Sequence, residues 1–390
     1  MSLSNFKWAD RVAEVAPFHV MQLLARARQL QSEGRDVIHM EVGEPDFPTA
    51  APIVAAGQEA LAKGLTQYTP AAGLPELREA IAGHYQTAYG VTVDPGRIIV
   101  TPGASGALLL LSALLVNSGD KVMMADPTYP CNRNFMRLFE GEPQLIPVGA
   151  ESEFQLTAQH IEQHWCKETR AVMLATPSNP TGTLVDKSSL QAISDAVTAR
   201  NGALIVDEIY QGLTYGIDAL TALSVNDDAF VINSFSKYFG MTGWRLGWLV
   251  APECAVPALE KLAQNVFLSA TTPSQYAALA AFQPDTIAIL EERRAEFARR
   301  RDFLLPALRN LGMSIPVTPE GAFYIYAGVD HLTDDSCQWC QDLLEQEAVA
   351  ATPGLDFGFE GARKTVRFAY ATEMSQLEKA VERIARFIAK

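Results

Sequence analysis

The feature that most constrains the fold is an alternation of short apolar runs with helical patterns between about residues 97 and 250. Several of these runs are almost continuously apolar, which is typical of strands covered on both faces. Helical patterns between many of them indicate crossover connections and a mostly parallel sheet. The predicted strands are Arg97–Thr101, Lys121–Ala125, Gln144–Val148, Ala171–Ala175, Ala203–Val206, Phe230–Asn233 and Leu246–Val250. Because ligands of such sheets bind at the carboxyl ends of strands, we expect functional residues there.

The composition excludes several classes of partner. The formal charge is 31 − 45 = −14, which disfavours nucleic acid and anionic membranes. The most apolar stretch, Ala107–Val116, is too short to span a bilayer and predicts a buried helix. No secretory signal is visible, so a cytoplasmic location is expected. No metal site is predicted, because Cys337-Gln338-Trp339-Cys340 lacks a second ligand pair.

A long charged segment from Asp285 to Asn310 follows the strand-rich region. It predicts a helix whose charged residues form a solvated face. A chain of 390 residues is long enough for two domains. We therefore expect this helix to lead into a second, smaller α/β domain.

Lys237 follows the sixth predicted strand in the run Ser234-Phe235-Ser236-Lys237, and Arg245 comes eight positions later. Lysine forms imines with carbonyl compounds, whereas serine hydroxyls and an arginine suit an oxyanion. This combination is what a protein needs to hold a phosphorylated aldehyde as a Schiff base. A single lysine after a strand is more often an exposed surface residue, so the hypothesis depends on further segments.

A glycine-rich turn, Gly103-Ala104-Ser105-Gly106, separates the first predicted strand from an apolar helix that begins near Ala107. Small residues allow close approach of a ligand to the backbone, and the start of a helix directs free N–H groups at an anion. Such turns are common before helices. This one gains weight from its agreement with the hydroxyls and the arginine described above.

Asp207 ends the apolar run that begins at Ala203. A carboxylate at the end of a buried strand needs a cationic or hydrogen-bonded partner, and a pyridine nitrogen kept protonated by it becomes an electron sink. Tyr210, three residues later, can direct its hydroxyl toward the same ligand. Alternatively, Asp207 caps a helix that follows the strand.

Asn179 and Tyr129 lie in irregular turns after two other predicted strands. The Asn179 amide can hydrogen-bond a ring hydroxyl of a ligand, although Ser-Asn-Pro-Thr-Gly is also ordinary turn chemistry. The Tyr129 ring can stack against a flat ligand or simply pack in a loop. Both interpretations stay open for each residue.

Arg367 lies among apolar neighbours in the strand-like run Thr365–Tyr370. A buried arginine of this kind requires a carboxylate that binds its guanidinium in bidentate geometry. That carboxylate belongs either to an internal Asp or Glu or to an amino acid substrate.

Taken together, these segments resemble the class I aminotransferases, which are fold-type I pyridoxal phosphate enzymes. The resemblance runs from Gly43-Glu44-Pro45-Asp46-Phe47, through Thr66-Gln67-Tyr68-Thr69-Pro70, to Arg367. The motif positions it matches are Asn179, Asp207, Tyr210, Lys237, Arg245 and Arg367. It implies an α/β fold with a large domain, residues 46–284, that contains a mostly parallel seven-stranded sheet. A smaller α/β domain would be formed by both termini, residues 1–45 and 285–390.

The resemblance also implies a cofactor, pyridoxal 5'-phosphate, and a role for each residue. Lys237 would form the Schiff base and shuttle the proton, and Asp207 would pair with the ring nitrogen. The ring hydroxyl would be held by Asn179 and Tyr210, and Tyr129 would lie against the ring face. The phosphate would be bound by Ala104, Ser105, Ser234, Ser236 and Arg245.

For the substrates, the resemblance implies an amino acid and a 2-oxo acid that react in turn by a ping-pong path. Their carboxylate would be bound by Arg367, Asn179 and the backbone at Gly43. Tyr68 resembles the tyrosine that reaches the phosphate of the neighbouring subunit, which implies a homodimer. The protein would therefore have its active sites at a subunit interface.

The amino donor is less clearly indicated. Some aspartate-preferring relatives have a lysine in the glycine turn, where this chain has Ser105. The usual second arginine is not evident in Ser269-Ala270-Thr271-Thr272-Pro273. We therefore expect a neutral or aromatic donor. The candidates for lining its side-chain pocket, which are equally candidates for the core, are Phe18, His19, Val20 and Phe47.

Two other classes of protein share these features. A β-lyase that cleaves a carbon–sulfur bond would use the same lysine, aspartate and phosphate-binding groups. A non-enzymatic regulator on this fold should carry a basic DNA-binding domain, which the acidic composition disfavours. An aminotransferase is the interpretation that we carry forward.

Overall fold

The computed structural model describes residues 7–15, 19–218 and 220–390. Its strands are β1 Ile38–His39, β2 Ile98–Thr101, β3 Lys121–Asp126, β4 Glu142–Pro147, β5 Thr169–Ala175, β6 Ala203–Asp207, β7 Phe230–Ser234, β8 Gly247–Val250, β9 Tyr324–Gly328, β10 Val349–Ala350, β11 Thr352–Pro353 and β12 Thr365–Ala369. Its helices are α1 Arg11–Glu14, α2 His19–Ser32, α3 Ala51–Ala62, α4 Pro75–Tyr89, α5 Gly103–Leu115, α6 Pro130–Leu138, α7 Ala158–His164, α8 Lys187–Thr198, α9 Val256–Val266, α10 Thr272–Leu279, α11 Pro284–Asn310, α12 Ser336–Glu347 and α13 Met374–Ile388.

The central sheet has seven strands in the order β2-β8-β7-β6-β5-β3-β4. Strand β8 is antiparallel to both of its neighbours, and the other pairings are parallel. The fold is therefore α/β with a mixed but mostly parallel sheet, as predicted. The limits of all seven strands lie within two residues of the prediction.

The apolar runs of the sequence are explained by burial on both faces of this sheet. In β5, Val172 and Leu174 belong to one hydrophobic cluster, whereas Ala171 and Met173 belong to another on the opposite face. Successive side chains of a strand point to opposite faces, so both sets must be apolar. The predicted apolar helix is α5, which begins at Gly103, four residues before the predicted start.

Two smaller sheets connect the ends of the chain. Strand β1 pairs in parallel with β10, with Ile38 opposite Val349. Strands β11, β12 and β9 form an antiparallel sheet in that order. The N-terminal segment is therefore joined to the C-terminal part of the chain in a smaller α/β unit. The domain limits at residues 46 and 284 stay a prediction.

The charged segment forms the predicted long helix, α11, which spans 27 residues. The prediction that its charged residues form a solvated face is wrong at Arg300, which is buried. The guanidinium of Arg300 contacts the carboxylates of Asp46 and Glu296, 2.8 and 3.0 Å away, and lies over the ring of Phe47. A buried charge of this kind requires such partners, and the sequence pattern did not reveal them. In the part of the chain that the structure describes, no helix is both long and apolar enough to cross a membrane.

Candidate active site

A cavity of about 270 Å³ lies at the carboxyl ends of β5, β6 and β7. It is lined by twelve of the thirteen residues proposed from the sequence, namely Gly43, Ala104, Ser105, Tyr129, Asn179, Asp207, Tyr210, Ser234, Ser236, Lys237, Arg245 and Arg367. The thirteenth, Tyr68, does not line the cavity, and 81% of its surface is exposed. The fold thus brings together residues that are separated by up to 324 positions, from Gly43 to Arg367.

Lys237 lies three residues beyond the end of β7. Its Nζ donates a hydrogen bond to the backbone oxygen of Gly43 at 2.5 Å, and it lies 5.7 Å from the ring centroid of Tyr210. Burial lowers the pKa of Lys237 to about 8; the Glu44 carboxylate opposes this shift, and the positive charges of Arg367 and Arg245 add to it. Part of the Lys237 population is therefore an uncharged amine near neutral pH, and an uncharged amine can act as a nucleophile or a base.

Asp207 is the last residue of β6 and is buried. Burial raises its pKa to about 6, while a hydrogen bond from the backbone N–H of Ile209, 3.1 Å away, and the charge of Lys237 oppose that rise. A turn follows the strand, so the alternative that Asp207 caps a helix is wrong. The carboxylate faces the cavity, where it can accept a hydrogen bond from a protonated ring nitrogen.

Another part of the cavity is suited to an anion. Helix α5 has 13 residues, and no side chain caps its first N–H groups. The Ser234 and Ser236 hydroxyls lie 3.0 Å apart beside it. Gly103 has a φ of 70°, and a β-carbon there would lie 2.6 Å from the Arg245 guanidinium, so glycine permits the arginine to approach the helix start. N–H groups, hydroxyls and a guanidinium together form a site for a phosphate group.

Arg367 lies in the middle of β12, buried between two aromatic rings. Its guanidinium is 4.3 Å from the ring centroid of Tyr324 and 4.7 Å from that of Phe357. Its terminal nitrogens donate to the side-chain oxygen of Asn179 at 2.8 Å and to the backbone oxygen of Glu41 at 2.5 Å. No carboxylate among the described residues forms an ion pair with Arg367. Its charge is therefore left for a ligand carboxylate.

Tyr324 is a cavity residue that sequence reasoning missed. Its hydroxyl is 2.7 Å from the Tyr210 hydroxyl, and both side chains are buried. Burial raises the pKa of both phenols, which keeps them protonated. The aromatic run Phe323-Tyr324-Ile325-Tyr326 was the available signal. Nothing in the sequence showed that this run would pair with the strand of Arg367.

One wall of the cavity is apolar and comes from α2. It consists of Val20, Met21 and Leu24. Of the other pocket candidates, His19 lines a neighbouring surface groove and Phe47 packs against Phe297 and Arg300. Phe18 lies outside the described residues. Val20 is thus the one candidate among the described residues that reaches the cavity.

Comparison with known proteins identifies the family. A family model described as aminotransferase class I and II matches residues 35–384. A valine–pyruvate aminotransferase of Mycobacterium tuberculosis is 38% identical over 97% of this chain and 99% of its own length. An aspartate aminotransferase of Bacillus subtilis is 32% identical over 98% of this chain and 99% of its own length.

A crystal structure of an aminotransferase from Mycobacterium tuberculosis superimposes with a TM-score of 0.95 at 38% identity, covering 98% of this chain and 99% of that one. The chain therefore belongs to the class I and II aminotransferases and has their fold-type I architecture. The family resemblance of the sequence is confirmed, and the protein is an enzyme of the aminotransferase class.

Proposed function

We propose that the protein is a pyridoxal 5'-phosphate-dependent aminotransferase that moves an amino group from a neutral or aromatic L-amino acid to a 2-oxo acid. The observation that carries this proposal is the position of the Lys237 amine. It lies in a cavity that is also lined by the start of α5, which is suited to an anion, and by the buried Asp207 carboxylate. Membership of the aminotransferase family supports transfer over β-elimination.

The residues of the cavity fit pyridoxal phosphate. In this proposal the Asp207 carboxylate would pair with the ring nitrogen, Asn179 and Tyr210 would bind the ring hydroxyl, and Tyr129 would lie against the ring face. The phosphate is bound by Ala104, Ser105, Ser234, Ser236 and Arg245. When bound, the cofactor supplies an aldehyde that reacts with amines and a protonated ring that draws electrons from the substrate α-carbon.

Lys237 performs the proton transfers. Its Nζ would hold the cofactor, and the free amine would remove the proton from the substrate α-carbon. A pKa of about 8 suits this work, because both the neutral amine and its conjugate acid are then populated near neutral pH. Asp207 contributes by keeping the ring nitrogen protonated, since a buried carboxylate stabilises an adjacent positive charge.

Arg367 and Asn179 bind the substrate α-carboxylate. The Asn179 oxygen accepts a hydrogen bond from Arg367, so the amide nitrogen is left to donate to a ligand. The guanidinium is held by neutral acceptors and therefore keeps its full charge for the carboxylate. The backbone at Gly43 completes this part of the site, next to the amine of Lys237.

A neutral or aromatic donor is supported by the side chains around the cavity. The positively charged side chains that line it, among the residues the structure describes, are Lys237, Arg245 and Arg367. Each of them already has a role in binding the cofactor or the α-carboxylate. A second substrate carboxylate would therefore lie unpaired near the apolar wall of Val20, Met21 and Leu24, which is unfavourable.

A homodimer completes the proposal. Tyr68 is largely exposed and lies outside the cavity of its own chain. Arg245 is also an exposed residue, although its side chain lines the cavity. Both residues are therefore accessible to a second copy of the chain. In the proposed dimer the partner subunit's Tyr68 reaches the phosphate site. The domain limits at residues 46 and 284 belong to the same proposal.

Borohydride reduction of the purified holoprotein tests the central assignment. Reduction should attach the cofactor permanently to Lys237, and mass spectrometry of the peptides should locate it there. Labelling of another residue, or of none, would overturn the proposed function.

The donor is tested by mixing the holoprotein with single amino acids and following the loss of the cofactor's visible absorbance. Leucine, valine or phenylalanine should convert the cofactor faster than aspartate. Release of pyruvate and ammonia from cystathionine without any 2-oxo acid would instead favour the β-lyase.

A further inference from the structure

Tyr324 occupies the point where the cofactor-binding and carboxylate-binding parts of the cavity meet. Strand β9 pairs with β12 so that Tyr326 lies opposite Arg367. Tyr324 is two residues from Tyr326 and therefore faces the same side of the sheet, as a diagonal neighbour of Arg367. Its side chain is fully buried and lines the cavity.

The ring and the hydroxyl of Tyr324 contact different partners. The ring lies under the Arg367 guanidinium, with 4.3 Å between the guanidinium carbon and the ring centroid. The hydroxyl is 2.7 Å from the hydroxyl of Tyr210. One side chain therefore contacts both the arginine proposed to bind the substrate and the tyrosine proposed to bind the cofactor.

The backbone at Gly43 limits where the Tyr324 hydroxyl can lie. A β-carbon at position 43 would overlap that hydroxyl, so the two groups are packed directly together. The same glycine accepts the hydrogen bond of the Lys237 amine. Tyr324 is thus held in one place by its strand, by Gly43 and by the ring of Tyr210, whose centroid is 5.6 Å from its own.

We propose that Tyr324 is a positioning residue that sets the Tyr210 hydroxyl through its own hydroxyl and the Arg367 guanidinium through its ring. This inference rests on the proposed function, because it concerns how the chain prepares both binding groups of that site. It adds Tyr324 to the site and assigns separate roles to the hydroxyl and the ring of that side chain.

The hydroxyl pair has a direction when an anionic acceptor is bound. Both phenols are protonated, so a hydrogen from one of them lies between the two oxygens. If Tyr324 donates to Tyr210, the proton of Tyr210 is free to donate to the ring oxygen of the cofactor. A hydroxyl that accepts a hydrogen bond is also a stronger donor. Loss of the Tyr324 hydroxyl should therefore weaken the bond from Tyr210 to the cofactor.

The ring acts separately from the hydroxyl. An arginine over an aromatic face is stabilised by the ring quadrupole, more strongly in a buried site. Phe357 lies on the other side of the guanidinium. The two rings hold the guanidinium in the plane in which its terminal nitrogens meet Asn179 and the backbone of Glu41.

Two variants separate the two roles. Tyr324→Phe removes the hydroxyl and keeps the ring, whereas Tyr324→Leu removes both. Tyr326→Phe is the matched control, because it removes a phenol hydroxyl from the same face of the same strand, where it is bound by Thr365. Circular dichroism and size-exclusion chromatography establish that each variant is folded.

Two measurements that do not depend on turnover are made on each holoprotein. The first is the pH midpoint of the visible absorbance of the bound cofactor. The second is the Kd of 4-methylpentanoate, a carboxylate that has no amino group and cannot react, measured by calorimetry. The first reports the hydrogen bonding of the cofactor, and the second reports the state of Arg367.

We expect Tyr324→Phe to raise the pH midpoint of the absorbance by about half a pH unit. The hydrogen bond from Tyr210 to the ring oxygen of the cofactor should be weaker in this variant, and a weaker bond disfavours the deprotonated form of the bound cofactor. Its Kd for 4-methylpentanoate should stay within about twofold of the wild type, since the ring is retained. Tyr324→Leu should show the same shift of the midpoint and a roughly tenfold weaker Kd. Tyr326→Phe should change neither quantity.

An unchanged midpoint in Tyr324→Phe would overturn the role of the hydroxyl. A tenfold weaker Kd in Tyr324→Phe would overturn the role of the ring, even if Tyr324→Leu does not fold. A folded Tyr324→Leu with wild-type affinity would do the same. If the wild-type holoprotein has no visible absorbance, or if borohydride does not label Lys237, the proposed function itself fails. That outcome differs from failure of the Tyr324 inference alone, in which the wild type behaves as proposed.

Discussion

The two halves of the cavity are built in different ways. In the half that is proposed to bind the cofactor, called the cofactor half below, the residues follow strands of the central sheet directly: Asp207 ends β6, Ser234 ends β7 and Lys237 comes three residues later. In the half that is proposed to bind the substrate carboxylate, called the carboxylate half below, Arg367 lies in the middle of β12 and is held by residues far away in the sequence, including Asn179. The first half is thus set by local chain geometry, and the second by contacts between separate segments.

The basic side chains of Lys237 and Arg367 show what this difference in construction achieves. The pKa of Lys237 is lowered to about 8, chiefly by burial, so its amine can release a proton. Arg367 is more deeply buried than Lys237, and its terminal nitrogens are held by neutral acceptors while its guanidinium lies between two rings. One cation is suited to chemistry and the other to binding a carboxylate.

The largest effect should come from Lys237→Ala. The substitution removes the amine that is proposed to hold the cofactor and transfer the proton, so kcat should fall at least about a thousandfold. The visible absorbance of the bound cofactor should be lost at the same time. Steady-state turnover and absorbance spectra measure both. The control is Lys261→Ala, which removes an exposed lysine of α9. Wild-type kinetics in Lys237→Ala would show that Lys237 is not the side chain that performs the chemistry.

Arg367→Lys should affect binding more than chemistry. Lysine keeps the charge but lacks the planar fork that binds a carboxylate with two hydrogen bonds. We expect the KM for the amino donor to rise about thirtyfold, equivalent to about 2 kcal/mol, with a much smaller change in kcat. The KM is measured at saturating 2-oxo acid, with the exposed Arg363→Lys as a matched control. A fall in kcat with unchanged KM would contradict the assignment.

Asp207→Asn should stabilise the cofactor-free chain. Burial raises the pKa of this carboxyl from 3.8 to about 6, so folding binds protons between these pH values and the stability falls as pH rises through that window. At pH 7 the charged group therefore costs the folded chain about 3 kcal/mol, which the neutral amide avoids. Urea unfolding should show this gain at pH 7 and a smaller one at pH 4.5.

The same substitution should weaken cofactor binding, because an amide does not stabilise a protonated ring nitrogen as a carboxylate does. Asp195→Asn, at an exposed position of α8, should change neither quantity. A loss of stability in Asp207→Asn at pH 7 would show that the carboxylate is not strained by burial in the absence of the cofactor.

The smallest effect should come from Asp356→Ala. This carboxylate, in the 3₁₀ turn Gly354–Asp356, accepts hydrogen bonds from the backbone N–H groups of His19 and Val20, each at 2.8 Å. It therefore positions helix α2, whose side chains form the apolar wall. Loss of a bond of this type costs about 1 kcal/mol, so the KM for leucine should rise about fivefold, and that for alanine less.

The ratio of the two KM values is the measurement for Asp356→Ala. Asp342→Ala, on the surface of α12, leaves both N–H bonds in place and should not change that ratio. If the ratio also stays constant in Asp356→Ala, the apolar wall does not select the donor side chain.

The cofactor half of the cavity could be predicted because its signals are local. A run such as Ala203–Asp207 reveals both the buried strand and the polar residue at its end, so Asp207 was found from five consecutive residues. Lys237 was found in the same way, after β7. Tyr324, Met21 and Leu24 were not found like this, because an apolar or aromatic residue has the same local pattern in a cavity wall as in the core. Val20 was a candidate, but its pattern was equally that of a core position.

The prediction for the charged residues of α11 was limited in the same way, because local sequence does not reveal distant partners. Arg300 was predicted to be solvated, since it lies in a run of three arginines in a long helix. The structure buries it against Asp46, which is 254 positions away in the sequence. A helix pattern shows which residues share a face, but it does not show what packs against that face.

The sequence by itself determined the order of strands and helices, the seven-stranded sheet and the polar residues at its strand ends, because alternating burial and strand termini leave marks within a few consecutive residues. The tertiary structure decided which faces meet across the cavity. It placed Tyr324 against Arg367 and Tyr210 and brought α2 over the carboxylate-binding half. The physical reason is that these contacts join strands and helices far apart in the chain, and their energy depends on a shared packing geometry that no single segment contains.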